Sequence, residues 1–180
     1  MTGPRITPLP PEEWDDGVRD ALGPLLPPDR ANPRDAGSLL ATLLRHRPLT
    51  EAYLHFNAHL LLRSTLSPRV REVAILRAAI HRDSEYLWTH HVPLAGRAGL
   101  TDADIAVIRT GGGASLGDED LLVVAAADEL DARSTLSDAT WSALSEHFTE
   151  AQRMDLVFTV GAYHLLAMAV NSFGLGGDDH

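Results

Sequence analysis

The 180-residue chain has no cysteine. Thiol nucleophiles and disulfide bonds are therefore excluded, and any chemistry must come from carboxylates, imidazoles, hydroxyls or a borrowed cofactor. A chain that needs no disulfides fits the cytoplasm. Lysine is missing too. The fifteen basic residues are all arginine, mostly isolated along the chain, against 25 acids, and the formal net charge is −10. Phosphate binding needs clustered positive charge, so no nucleic-acid partner is expected. No run of about 18 apolar residues occurs, so no membrane span is expected. Residues 1–14 are Pro-rich and carry acids, without the basic start and apolar centre of a signal peptide. No segment alternates apolar and polar residues with the period of two that marks a half-buried strand.

What the chain does have is helical periodicity. Hydrophobic residues make up 44% and charged residues 22%, a globular balance, and the length is enough for one compact domain with a sizeable core. Residues 1–37 hold most of the prolines and read as an extended arm with one short helix near 12–22. Such an arm either lies over a neighbouring subunit or hangs as a loose terminus. Residues 38–173 read as one helical domain, and 174–180 as a Gly-rich, acidic tail. Leu39, Leu40, Leu43 and Leu44 predict a helix ending near Pro48. Pro48 opens the next, over 49–62, with Tyr53, Phe56 and Leu60 on one face. Ser67 then Pro68 is an N-cap followed by proline in the first turn. That helix runs to about Ile80, and the next, capped by Asp83 or Ser84, ends at a left-handed Gly99. Thr101 caps a short helix. Gly111-Gly112-Gly113 lacks the Lys-Ser/Thr ending of a phosphate loop and reads as a connection. Helices follow over 119–132 and 137–148. A last long one is opened by Thr149 and Gln152 at capping-box spacing and runs towards Asn171. The expected fold is all-α, a single-domain bundle of around eight helices without internal repeats.

The richest stretch chemically is Ser84-Glu85-Tyr86-Leu87-Trp88-Thr89-His90-His91. On a helix, Ser84, Leu87, Trp88, His91 and Ala95 share one stripe, mostly small or apolar, which faces the core. His91 there is either a core histidine satisfied by a carbonyl or one half of a proton-handling pair. Glu85 is either a charge favouring the helix N-terminus or a site acid. Glu72 lies in the otherwise apolar run around Val70, Val73 and Ile75 on the preceding helix. It either pairs with Arg69, Arg71 or Arg77, or turns inward. Turned inward beside His91, it makes a carboxylate–imidazole couple able to hold a proton. His90 and His91 project about 100° apart and do not share an ion. His55 and His59 have i, i+4 spacing but no further acid in place, so no metal is expected there. Tyr163 and Asn171 lie about two turns apart on one side of the last helix. Each is either functional or merely a core hydroxyl and a helix cap.

The order Arg71-Glu72, then Glu85-Tyr86-x-Trp88-x-x-His91, then Gly99-Leu100-Thr101 resembles the carboxymuconolactone decarboxylase family, which includes the alkylhydroperoxidase D-like proteins. The resemblance is close over 66–109 and looser over 155–171. It implies the alkylhydroperoxidase D-like helical fold and an oligomer, a trimer or a hexamer built from it. The family's peroxidase branch uses a Cys-x-x-Cys pair, a Glu twelve residues before it and a His four residues after it. These positions fall on Ser84, Leu87, Glu72 and His91 here. The acid and the imidazole remain and both sulfurs are gone, so the resemblance argues against peroxide reduction by that route.

The family's decarboxylase branch removes CO₂ from a lactone and protonates a ring carbon. In those terms His91 is the expected proton donor, tuned by Glu72, with Glu85 as a further acid. Ser84, Trp88, Tyr163 and Asn171 are the expected pocket residues, and Arg71 the cation for an anionic substrate. The leading expectation is a lyase or proton-transfer enzyme on a small organic acid, lactone or carbonyl compound, cofactor-free, cytoplasmic and homo-oligomeric. The alternatives are a non-catalytic helical scaffold, or a metal-assisted or oxidative activity.

Overall fold

The computed structural model describes residues 3–113 and 115–176. These residues form nine α-helices and no strand: α1 (Asp16–Leu22), α2 (Pro33–Leu43), α3 (Arg47–Ala58), α4 (Pro68–His81), α5 (Glu85–Arg97), α6 (Asp102–Thr110), α7 (Asp118–Arg133), α8 (Asp138–His147) and α9 (Glu150–Phe173). The expected all-α class is what the chain adopts. Its helices fall into two compact units, Met1–Arg63 with Val170–His180, and Ser64–Ala169.

The first unit has its own core, built largely by the proline-rich segment. Leu9, Trp14, Val18, Ala21 and Leu22 are buried with Ala36, Ala41, Leu44 and Leu54. The Trp14 indole N–H donates to the Leu9 carbonyl at 3.2 Å, so its polar edge is satisfied inside. The arm is therefore part of a core rather than a loose terminus. Asp15 caps α1 by accepting the Val18 N–H, and Asn32 caps α2 by accepting from Asp35. Gly37 interrupts α2 with φ 66°, a left-handed conformation suited to glycine. The expected helix over 49–62 is α-helical only to Ala58 and continues as a π turn over His59–Arg63. That widening breaks the single-face register. Leu60 is buried while Leu62 and Phe56 face solvent. The acidic end of the tail, 177–180, lies outside the described residues.

The second unit is organised around α4. Val70, Glu72, Val73, Ala74, Ile75, Leu76, Ala78 and Ala79 are all buried. A helix apolar on nearly every side must be enclosed, and α4 packs against α5, α6 and α7. Ser67 and Pro68 begin it as the sequence predicts. Thr101 and Asp104 form a full capping box on α6. Thr149 and Gln152 do the same before α9, each side chain taking the other's backbone N–H. Asp155 of α9 accepts from the Thr65 N–H at 2.6 Å and from the hydroxyls of Ser64 and Thr65, which fastens the approach to α4.

Among the described residues, α9 is the one helix long and apolar enough to cross a membrane. Half of its apolar window is buried inside the protein.

Candidate functional site

The inward stripe of α5 is as its spacing predicts: Ser84, Leu87, Trp88, His91 and Ala95 are all buried. Tyr86 is buried as well. His90, by contrast, is exposed; its Nδ1 is 2.8 Å from the Tyr86 carbonyl and its ring stacks on the Tyr86 ring at 4.1 Å. Adjacent histidines thus point apart, one outward and one into the unit.

α4 and α5 pack so that Glu72 meets His91. The Glu72 Oε2 to His91 Nδ1 distance is 2.8 Å, with Glu72 2% and His91 8% exposed. The other imidazole nitrogen, Nε2, is 3.2 Å from the Tyr163 hydroxyl on α9, and the two rings meet edge to face at 5.0 Å. In the neutral imidazole the consistent assignment has Nδ1–H donating to the carboxylate and Tyr163 O–H donating to Nε2. In the cation, both nitrogens donate. The row carboxylate–imidazole–hydroxyl runs through the interior of one unit. Burial disfavours an unpaired carboxylate there, and the imidazole is the partner placed against it. Arg71 lies at the edge of this row, its Nε 3.6 Å from Glu72 Oε1. Its charge is directed at Glu72.

A pocket of about 250 Å³ is lined by Ala79, Ile80, Asp83, Ser84, Glu85, Trp88 and Arg109, and none of the row's residues is among them. Asp83 holds a left-handed φ of 48° at its edge, costly for a residue with a Cβ. The Ser84 hydroxyl is buried with no hydrogen-bond partner. Glu85 is exposed and paired with Arg109 at 3.3 Å. The Arg109 guanidinium also lies over the Trp88 ring, 4.5 Å from its centroid. Cation and aromatic face together suit a flat anion. Along α5, Trp88 stands between Ser84 in the pocket and His91 in the row.

The structure therefore brings Glu72, His91, Tyr163 and Arg71 into one buried row, and Ser84, Glu85 and Trp88 into one pocket. Asn171 is in neither; it is exposed on the last turn of α9, in the first unit. His55 and His59 are exposed on and just beyond α3. Arg109 escapes the sequence reading, because an arginine in the last turn of a short helix reads equally well as a charge complementing the helix C-terminus.

The model of the carboxymuconolactone decarboxylase family matches residues 47–129, a span that contains Glu72, the whole of α5 and Arg109. Over this segment, a little under half of the chain, the sequence matches the carboxymuconolactone decarboxylase family. The family thus accounts for α3 to most of α7, and the row reaches beyond that span only through Tyr163. Two solved structures share the fold. A protein of unknown function from Agrobacterium tumefaciens, described as a putative antioxidant defence protein AhpD, has 16% identity and a TM-score of 0.67 over 73% of this chain and 92% of its own. An uncharacterized peroxidase-related protein from Silicibacter sp. has 15% identity and a TM-score of 0.74 over 98% of this chain and 90% of its own. No curated protein matches the chain.

Proposed function

We propose that this carboxymuconolactone decarboxylase-like chain is a proton-transfer enzyme of the lyase type, acting on a small organic acid, lactone or carbonyl compound. The observation that carries the proposal is the buried row Glu72–His91–Tyr163. Glu72 fixes the orientation of the imidazole; His91 is the group that gives up the proton; Tyr163 is the hydroxyl through which it is passed. In a decarboxylation the bond to CO₂ breaks and its electron pair stays on carbon as an enolate. The carbon then takes a proton from the row. Arg109, with Trp88 beneath it, supplies the cation and flat surface for the substrate's carboxylate. Glu85 holds Arg109 in place until an anion competes for it.

The peroxidase wording attached to one solved relative does not carry over through a thiol route. The positions of that chemistry's two sulfurs hold Ser84 and Leu87, and the chain has no cysteine to replace them. The same reading places the protein in the cytoplasm as a homo-oligomer, a trimer or hexamer, with α9 supplying the contact.

The test is a panel of small carboxylated lactones and β-keto acids assayed for CO₂ release and for solvent deuterium in the product. His91→Ala should lose about 10²–10⁴-fold in turnover, the usual contribution of a general acid. Arg109→Gln should raise KM for anionic substrates more than it lowers kcat. A panel member turned over as fast by His91→Ala as by the parent, with the fold intact, would end this assignment.

A further inference from the structure

A second group of ionisable side chains lies at the other end of α4. His81 in its last turn, Asp131 of α7 and His164 of α9 each turn one ligand-capable atom inward, and these atoms lie within 4.8 Å of one another. His164 Nε2 is 3.8 Å from Asp131 Oδ1. The His81 and His164 rings meet edge to face at 5.7 Å. His81 Nδ1 and His164 Nε2 are both buried with no hydrogen-bond partner. Two unpaired imidazole nitrogens inside a unit are costly unless something occupies the space between them.

A neighbouring carboxylate fixes which nitrogen is available. Asp128 Oδ1 lies 2.6 Å from His81 Nε2, and Arg77 holds Asp128 in turn at 2.5 and 3.0 Å. Nε2–H therefore donates to Asp128, and the lone pair of His81 is on Nδ1. This is the outer carboxylate that orients and strengthens a metal-binding histidine. His164 Nδ1 faces the Arg82 guanidinium, which leaves Nε2 as the nitrogen turned towards Asp131.

We propose that His81 Nδ1, Asp131 and His164 Nε2 form a binding site for a divalent transition-metal ion. Two imidazoles and one carboxylate match the donor preference of zinc and its first-row neighbours. In a tetrahedral site with bonds of about 2.0–2.1 Å, neighbouring ligand atoms stand about 3.3–3.4 Å apart, so atoms spread over as much as 4.8 Å must draw in by up to about 1.5 Å as the ion binds. Three protein ligands leave at least one position open to water or a small anion, unlike a closed structural site. Arg82 is the competitor. Its Nη2 sits 2.5 Å from Asp131 Oδ1 and 3.5 Å from His164 Nδ1. It is the cation that an arriving metal displaces. The site uses none of the residues of the Glu72–His91–Tyr163 row, and stands or falls separately from it.

The experiment is titration of the chelator-stripped full chain with Co²⁺, read by visible absorption, and with Zn²⁺, read by calorimetry. One ion per chain is expected, at micromolar or tighter affinity, with Co²⁺ bands of nitrogen–oxygen coordination and a rise in melting temperature. Asp128→Asn should weaken binding about 10–100-fold, the usual effect of removing an orienting carboxylate. His81→Ala and His164→Ala should each weaken it further. Arg82→Gln should tighten it, by removing the competing cation. That gain keeps the test decisive even if a histidine variant folds poorly, as circular dichroism would reveal. The proposal is overturned if no stoichiometric ion binds below millimolar concentration. It is equally overturned if binding survives in both folded histidine variants, or if Arg82→Gln leaves the affinity unchanged.

Discussion

At the scale of single residues, the consequential choice in this chain is an imidazole placed between a carboxylate and a phenol. Glu72 and His91 were legible in the sequence because both constraints on them are short-range. Helical periodicity turns His91 inward, and an acid in the middle of an apolar helix has nowhere to go but towards a partner. Tyr163 as the third member was legible only as a buried hydroxyl, since its contact with His91 spans 72 residues of sequence. The pairing of Arg109 with Trp88 and Glu85, and the convergence of His81, Asp131 and His164, are likewise products of tertiary packing that no local pattern encodes. The row makes a residue-level prediction. Tyr163→Phe removes one hydroxyl from a site 2% exposed and leaves His91 Nε2 without its partner. The fold should survive with a loss of roughly 1–3 kcal/mol, the cost of one orphaned buried group. Turnover should fall while substrate binding, read by Trp88 fluorescence, is retained. If Tyr163→Phe is as active as the parent, the proton leaves His91 by another path.

At the scale of elements, the helix boundaries were the most legible feature, and for a physical reason. Capping is a contact between residues two or three apart, so Ser67, Thr101 and Thr149 announce themselves in sequence and act as caps in space. What joins the helices was not legible. Arg69 at the start of α4 reaches Asp120 of α7 at 2.8 Å, Asp104 of α6 at 3.3 Å and the Gly99 carbonyl at 2.6 Å. One guanidinium thus ties three segments together, using the planar fork that lysine lacks. Asp104 serves both this junction and the α6 capping box. The Thr101 backbone N–H, and after it the Thr101 hydroxyl and Arg69, hold its carboxyl below the ordinary value of 3.8. The unfolded chain therefore takes up the proton first as pH falls. The stabilisation is complete above about pH 3.8 and is lost as the pH drops through the lower folded-state value. Asp104→Asn should accordingly be less stable than the parent at neutral pH and nearly equal to it in strong acid, measured by denaturant midpoints across pH. Thr101→Ala should cost about 1 kcal/mol by removing the cap itself.

At the scale of the whole molecule, α9 carries the proposal of self-association. Its inner side buries Leu156, Val160, Tyr163 and Ala167, while Met154, Phe158, Leu165 and Met168 are each more than half exposed. With Gly161 these four fall at steps of four, three, four and three, the repeat of a helix that packs lengthwise on another. Scattered apolar side chains on a surface need no explanation, but a stripe along four turns of one helix does. It also explains why this helix has the length and hydropathy of a membrane span. Both of its sides are apolar, one facing the interior of its own unit and the other facing outward. A second copy of the chain is the occupant we propose, because a helix with this stripe is complementary to itself about a symmetry axis. Light scattering should then give three or six times the chain mass. Phe158→Glu combined with Leu165→Glu places charges in the stripe without touching the inner side, so the variant should run as a folded monomer. The buried row lies on the inner side, so that monomer should keep its secondary structure and the Glu72–His91 contact, seen as a retained downfield imidazole N–H resonance. A parent chain that is already monomeric at micromolar concentration, or a double variant of unchanged mass, would leave the stripe without a partner and remove self-association from the account.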